Sequence, residues 1–115
     1  MIAEMALADS YALPFEFVPD TADRVNDLSR FYQHPTYAEM EPGHYSDDTQ
    51  RSIANARVIL DPKGSIYNPL TYAEEYMATF ALDPRPGYSR RYEAFLRESV
   101  SVSYTHLTLP TIYSV

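Results

Sequence analysis

The first apolar stripe of the chain predicts a helix that carries one acidic residue among its apolar side chains. Ile2, Met5, Asp9 and Leu13 recur at i, i+3, i+7 and i+11, which is the spacing of one helical face. Pro14 ends this pattern, because a proline inside a helix removes a backbone donor and clashes with the preceding turn. Asp9 is therefore placed on the face that should pack against the rest of the protein.

A second helix is predicted to begin at Ser46 or Asp47. Asp47 and Gln50 have the spacing of a capping box, in which side chains at a helix start bond to its free backbone N–H groups. The predicted apolar face comprises Thr49, Ile53, Ala56 and Leu60. The turn-forming sequence DPKG at 61–64 should stop this helix.

Two further helices are predicted toward the C-terminus. Thr71 and Glu74 form another capping-box pattern, followed by an apolar stripe that reaches Phe80, and this helix should end before Pro84. A fourth helix is expected after Gly87, with one face formed by Tyr92, Phe95, Leu96 and Ser99. No segment ahead of the C-terminal tail has the pattern of a strand. The chain is therefore predicted to be all-α, with several helices joined by proline-rich loops.

The C-terminal tail differs from the rest of the chain in composition. Residues 102–115 contain no charged side chain. A terminal strand is one interpretation of them, although no single face of such a strand would be apolar. The other is that VSYTHLTLPT at 102–111 matches, codon by codon, the translation of a transposase sequencing adapter. We interpret 1–101 as a partial helical domain and 102–115 as a non-native tail, which is left out of the reasoning on fold and function.

The charge balance narrows the classes of partner. The 115 residues hold 16 Asp and Glu against 9 Lys and Arg, a net charge of −7. This length suits one small domain, and the acidic balance argues against a nucleic-acid-binding surface. No apolar run reaches the roughly 18 residues of a membrane span, the N-terminus lacks the basic start of a signal peptide, and there is no Cys. We expect a cytoplasmic monomer that binds neither nucleic acid nor membrane.

The segment Ser46, Asp47, Asp48 and Thr49 is the first candidate for chemistry. Acidic and hydroxyl residues are common in the first turn of a helix, where they bond free N–H groups and oppose the helix dipole. Two adjacent carboxylates repel each other, however, and one cap needs only one of them. A hard divalent cation would relieve the repulsion, and oxygen ligands suit magnesium, manganese or calcium. Both interpretations stay open on the local pattern.

Glu16 is the second candidate. It lies between two phenylalanines, at the start of a long irregular region that spans 15–42. It is either a surface residue between two buried aromatic side chains or a carboxyl group in a partly apolar pocket that serves acid–base chemistry. The position of Asp9 on the apolar stripe of the first helix favours the second interpretation. The alternative for Asp9 is a buried cap or an ion pair with Arg51 or Arg57.

The histidines and tyrosines indicate no further site. His34 and His44 lie in loops, without Cys or the close spacing of a zinc site, and are interpreted as ordinary loop histidines. The many tyrosines are interpreted as packing residues, since no basic residues are interleaved with them as in a nucleic-acid-stacking surface.

Three separated segments resemble the N-terminal part of bacterial ADP-ribosylglycohydrolases. These are ADSYALPFE at 8–16, HYSDDTQ at 44–50 and DPRPGYSRR at 83–91. The Ser-Asp-Asp-Thr element that opens a helix is the most specific of them. Together they span nearly all of 1–101, so the resemblance implies a compact all-α hydrolase domain that is incomplete in this chain.

The resemblance also implies the chemistry. Family members hold two magnesium or manganese ions and cleave the glycosidic bond between ADP-ribose and a protein side chain or small molecule. Ser46, Asp47 and Asp48 match the first group of metal ligands. Glu16 matches a glutamate at the mouth of the active site, and Glu16 and Asp48 are the carboxylates expected to assist proton transfer. The expected partner is an ADP-ribosylated protein or an ADP-ribose-containing small molecule.

The chain departs from the family pattern in two ways. Ala8 and Ala12 replace family glycines, which should crowd a close helix contact. The second group of metal ligands, an Asp-x-Asp-(Ser/Thr) element, does not occur in this sequence. We therefore expect the chain to be inactive by itself and to expose helix faces that further helices would cover. The alternatives are a noncatalytic ADP-ribose-binding or structural relative and an acidic helical interaction domain.

Overall fold

The computed structural model describes residues 1–18 and 24–105, except for the side chains of 100–105. Four α-helices and no strand occur in this part of the chain: α1 (Ile2–Ala12), α2 (Asp47–Leu60), α3 (Pro69–Leu82) and α4 (Arg90–Thr105). A short 3-10 helix, Leu13–Phe15, follows α1. The all-α class is confirmed. Among these helices, none combines the length and apolar character that crossing a membrane requires.

The chain forms two compact units. The first comprises the described residues of Met1–Gln50 together with Arg85–Gly87. The second comprises Arg51–Pro84 and the described residues from Tyr88 onward. The first turn of α2 therefore belongs to the first unit, and the remainder of α2 belongs to the second.

In the first unit, α1 buries less of its predicted stripe than expected. Leu13 is buried and Asp9 is half-buried, but Met5 remains 38% exposed. Ser10 is the buried residue within α1, where its hydroxyl donates to the Ala6 carbonyl at 2.7 Å. The buried side chain of α1 is therefore polar, and the apolar positions of the predicted stripe within this helix are only half-buried or exposed.

The long irregular region, predicted over 15–42, begins after the 3-10 helix and continues to Ser46 in the described residues, and aromatic side chains hold part of it. The Tyr11 hydroxyl on α1 donates to Asn26 Oδ1 at 3.0 Å and accepts the Leu28 N–H at 2.8 Å. The ring of Phe15 packs edge-on against that of Tyr32, with centroids 5.9 Å apart. Side chains from α1 and the 3-10 helix thus replace secondary structure in fixing this region.

In the second unit, α3 packs against α4 around apolar side chains. Phe80 and Leu96 are 2% and 0% exposed. On the part of α2 that belongs to this unit, the buried positions are Ala54 and Val58, whereas Leu60 is 83% exposed. The predicted face of α2 is therefore buried at Thr49 but wrong at its C-terminal end. Ala54 and Val58 are four residues apart, and this spacing places two residues on one helical face just as the spacing of the predicted face does.

Two helix ends differ from the prediction. Helix α3 starts at Pro69 with Asn68 as its cap, because Asn68 Oδ1 accepts the Leu70 N–H at 3.0 Å. The predicted cap at Thr71 was therefore wrong. Helix α4 continues to Thr105, four residues beyond Ser101, where the adapter interpretation places the end of the native sequence. The rest of the predicted tail, 106–115, lies outside the described residues.

Candidate functional site

Asp9 joins α1 to the start of α2. Its Oδ1 accepts the Ser46 hydroxyl at 2.7 Å, and its Oδ2 accepts the Ser46 N–H at 2.8 Å and the Thr49 hydroxyl at 2.7 Å. The Thr49 N–H is 3.4 Å from the same Oδ2. Ser46 and Thr49 are 1% and 0% exposed. Both carboxylate oxygens of Asp9 are thus engaged in bonds that fix the first turn of α2.

The cap of α2 therefore comes from a different helix. The first N–H groups of a helix lack intrahelical partners, and a carboxylate there also opposes the helix dipole. The Gln50 N–H bonds the Ser46 carbonyl at 3.1 Å, the ordinary bond of a first helical turn. Of the alternatives for Asp9, the structure shows the cap. Arg57, one suggested ion partner of Asp9, is 3.8 Å from Glu75 in the second unit.

Residues 85–87 pack against the start of α2, a feature that the sequence reasoning missed. The Pro86 carbonyl accepts the Asp47 N–H at 2.9 Å, and Arg85 Nε donates to the Tyr45 carbonyl at 3.0 Å. Gly87 has φ +109°, and a Cβ at this position would clash with Asp47 Oδ1. The signal that could have found this contact is the Pro-Gly pair within DPRPG, which the sequence analysis used as a helix boundary and as part of a family resemblance but not as a contact of α2.

Glu16 lies within electrostatic reach of the acidic group. It follows the 3-10 helix, and its N–H bonds the Leu13 carbonyl at 3.1 Å. Partial burial raises the pKa of the Glu16 carboxyl, and repulsion by Asp48, Asp9 and Asp47 raises it further. His34, when protonated, acts in the opposite direction on this pKa. Such a carboxyl group keeps its proton to a higher pH than an isolated glutamate, which suits a group that donates a proton.

The surroundings of Glu16 correct one expectation. Glu16 is exposed, and Phe17 beside it is 86% exposed, so the two flanking phenylalanines do not enclose the carboxyl in an apolar pocket. Electrostatic repulsion is the second cause of its raised pKa after burial. Ala8 and Ala12 were expected to crowd a close helix contact. Both are exposed, and they crowd no contact among the described residues.

The two loop histidines have different environments. His44 is exposed, with Nε2 3.6 Å from Glu41. His34 is 3% exposed, and both of its ring nitrogens have hydrogen-bond partners. Nε2 lies 2.9 Å from the Glu16 carbonyl oxygen, and Nδ1 accepts the N–H groups of Thr36 and Tyr37. His34 lies in a loop, as predicted, but its imidazole is buried; a buried imidazole needs partners at both nitrogens, and this one finds them.

The predicted metal ligands are suitable in kind but few in number. Ser46, Asp47 and Asp48 stand together at the start of α2 and offer oxygen atoms, as hard divalent cations prefer. Within 1–18 and 24–105, no group of three or more His, Cys, Asp or Glu side chains is placed to hold an ion.

Comparisons with protein-family models, with curated proteins and with solved structures find no match to this chain.

Proposed function

We propose that this chain is the N-terminal part of a metal-dependent hydrolase that cleaves the glycosidic bond of ADP-ribose conjugates. The observation that carries the proposal is the set of bonds from Asp9 to Ser46 and Thr49. These bonds join two of the three segments that resemble ADP-ribosylglycohydrolases. The third segment meets the same helix start through the Pro86 carbonyl. Two segments that resemble the family, and residues 85–87 of the third, thus meet in the first unit.

In this proposal each group has a separate role. Ser46, Asp47 and Asp48 would hold Mg²⁺ or Mn²⁺, which supplies positive charge near the ribose hydroxyls and lowers the pKa of bound water. Glu16 and Asp48 would exchange protons with water and the leaving group. Asp9 makes no contact with substrate in this scheme, and keeps the ligand-bearing turn in place. The substrate is an ADP-ribosylated protein or an ADP-ribose-containing small molecule, and the proposed location is the cytoplasm.

Exposed apolar side chains support the idea of a larger domain. Leu7 on α1 is 61% exposed, Leu60 on α2 83% and Leu82 on α3 75%. Each of these side chains is a place where an additional helix could cover apolar surface. Further helices would also be the source of the missing Asp-x-Asp-(Ser/Thr) ligands.

The proposal is tested by measuring release of ADP-ribose with added Mg²⁺. We expect none from these 115 residues, because half of the ligands that would orient water and stabilise positive charge on the sugar are absent. A longer version that adds an Asp-x-Asp-(Ser/Thr) element should release ADP-ribose. Asp47→Ala or Asp48→Ala should abolish that release. Asp61→Ala, an exposed carboxylate just after the other end of α2, is the matched control and should retain it.

Three results would contradict the proposal or redirect it. Strong metal-dependent turnover by the 115 residues would show that the site does not need the missing element. A longer enzyme unaffected by Asp47→Ala and Asp48→Ala would reject the ligand assignment. A longer protein that binds ADP-ribose without cleaving its conjugates would favour the noncatalytic relative.

A further inference from the structure

The hydrogen-bond partners of the two ring nitrogens define the tautomer of His34. The N–H groups of Thr36 and Tyr37 both donate to Nδ1, each at 3.1 Å, so Nδ1 carries no proton. The Glu16 carbonyl lies 2.9 Å from Nε2. Because a carbonyl oxygen can only accept, Nε2–H must donate to it. These hydrogen bonds fit the tautomer that carries its proton on Nε2.

The loop that contains His34 fixes the ring from one side. The two donors to Nδ1 belong to the turn that follows the histidine, and the Tyr37 ring packs on the imidazole with centroids 4.8 Å apart. Gln33 Nε2 donates to the carbonyls of Tyr37 and Met40, both at 3.1 Å. These bonds hold the orientation and the tautomer of the ring independently of the Glu16 carbonyl.

On the other side, Glu16 is held through its backbone. Its N–H bonds the Leu13 carbonyl and its C=O accepts from His34. The next residue, Phe17, has φ +55°, a left-handed conformation that costs free energy for a non-glycine residue. The Phe17 side chain is 86% exposed and offers little packing to offset this cost. The bond from His34 therefore stabilises the peptide group that joins Glu16 to Phe17.

We propose that His34 is a positioning residue: its imidazole, fixed by the Thr36 and Tyr37 N–H groups, donates through Nε2–H to the Glu16 carbonyl and so orients Glu16 toward the acidic group at the start of α2. This inference rests on the proposed function, in which the Glu16 carboxyl transfers protons. The bond itself can be tested in the 115-residue chain without any activity.

The first experiment measures the tautomer and the bond by NMR. In the wild-type chain, the imidazole ¹⁵N shifts of His34 should show a protonated Nε2 and an unprotonated Nδ1. His34→Gln places an amide donor near the position of Nε2, whereas His34→Asn places an acceptor near the position of Nδ1. We expect His34→Gln to keep the ¹³C′ shift of Glu16 and the amide shift of Phe17. His34→Asn should change both while keeping the amide shifts of Thr36 and Tyr37.

His44→Asn is the matched control, because His44 is an exposed loop histidine beside Glu41 and should affect none of these signals. A proton on Nδ1 in the wild-type chain would overturn the proposal, and this measurement requires no variant. Unchanged Glu16 and Phe17 signals in His34→Asn would overturn it as well.

The second experiment uses the longer, active protein. His34→Asn should lower kcat by about 10- to 100-fold with little change in KM, because a displaced proton donor slows the chemical step. His34→Gln should restore most of the rate. If His34→Asn is fully active while Glu16→Gln is inactive, the positioning role is overturned. If Glu16→Gln is fully active too, the role of Glu16 in the proposed function fails instead, while the NMR result still decides the bond.

Discussion

The two units bury different kinds of side chains. The first buries mainly polar residues, namely Ser10, His34, Ser46, Thr49 and Gln50. Leu13 and Pro14 are its apolar exceptions. The second buries mainly apolar residues, namely Ala54, Val58, Phe80 and Leu96. Thr79 is its polar exception. Apolar burial stabilises without direction, whereas a buried polar group must meet a partner at a defined distance and angle. The first unit is thus built to fix the geometry of a few groups.

This difference predicts how substitutions will behave. In the second unit, the loss of stability should follow the volume removed from the core. In the first unit, it should follow whether a particular hydrogen bond survives. The following variants test that contrast.

The largest effect is expected from Phe80→Ala in the second unit. Phe80 is 2% exposed, and its ring packs edge-on against Tyr88 at 5.7 Å. Removing a buried phenylalanine ring leaves a cavity and should cost about 3–5 kcal/mol in the free energy of unfolding, measured by urea denaturation. Phe95→Ala is the matched control, because Phe95 is 49% exposed, and should cost much less. Equal losses would mean that this unit has no apolar core at Phe80.

The next effect is expected from Asp9→Asn in the first unit. An amide is nearly the same size as a carboxylate but lacks its charge, and one end of it can only donate. The N–H and hydroxyl groups of Ser46 and the Thr49 hydroxyl would lose part of their acceptor set while buried. We expect a loss of about 2–3 kcal/mol, although no apolar volume is removed.

The control for Asp9→Asn is the same change at Asp27. Its carboxylate also accepts a backbone N–H, from Ser29 at 2.9 Å, but at an exposed site. Asp27→Asn should have no measurable effect on the denaturation midpoint. If both variants are equally stable, the polar contacts around Asp9 do not hold the first unit, and the contrast between the units fails.

Sequence periodicity predicts the helices well and their contacts less well. It locates α1 and α2 because Pro14 and the acidic start at Asp47 are local signals. It places Thr49 of α2 on the buried face correctly but misplaces the C-terminal part of that face, because the burial of Ala54 and Val58 depends on tertiary contacts. The cap at Asn68 was missed in favour of a capping-box pattern at Thr71, since both residues are good caps and the sequence alone does not rank them.

The candidate site was predicted in part for a similar reason. Asp9 was noticed because a carboxylate on an apolar stripe is unusual, and its partners Ser46 and Thr49 are 37 and 40 residues away. The role of His34 left no local signal. Its partners are two backbone N–H groups and one backbone carbonyl, and backbone groups are present at every position. The metal and catalytic roles of Ser46, Asp47, Asp48 and Glu16 remain predictions.

A smaller effect is expected from pH through Glu16. Its pKa in the folded chain is raised above the ordinary value of 4.5, so the folded state binds more protons than the unfolded state near this pH. Glu16 therefore reduces stability as pH rises from 4.5 through its raised pKa. Glu16→Gln should be as stable as the wild type below this window and more stable above it, as measured by urea denaturation at several pH values. A wild-type advantage at neutral pH would contradict the repulsion by Asp48, Asp9 and Asp47.

The smallest effect is expected from removing residues 102–115. If they are a translated adapter, they have no evolved packing partner. Among the side chains of 90–99, the part of α4 for which the structure describes side chains, Leu96 is buried at 0% exposure, and it lies before this segment. Deletion after Ser101 should therefore change the free energy of unfolding by no more than about 0.5 kcal/mol, the range of a surface substitution, although it removes the last turn of α4. Deletion after Phe95, which also removes Leu96, should unfold the second unit. If the shorter deletion unfolds it too, the stability of the second unit extends into the tail, and the adapter interpretation is wrong.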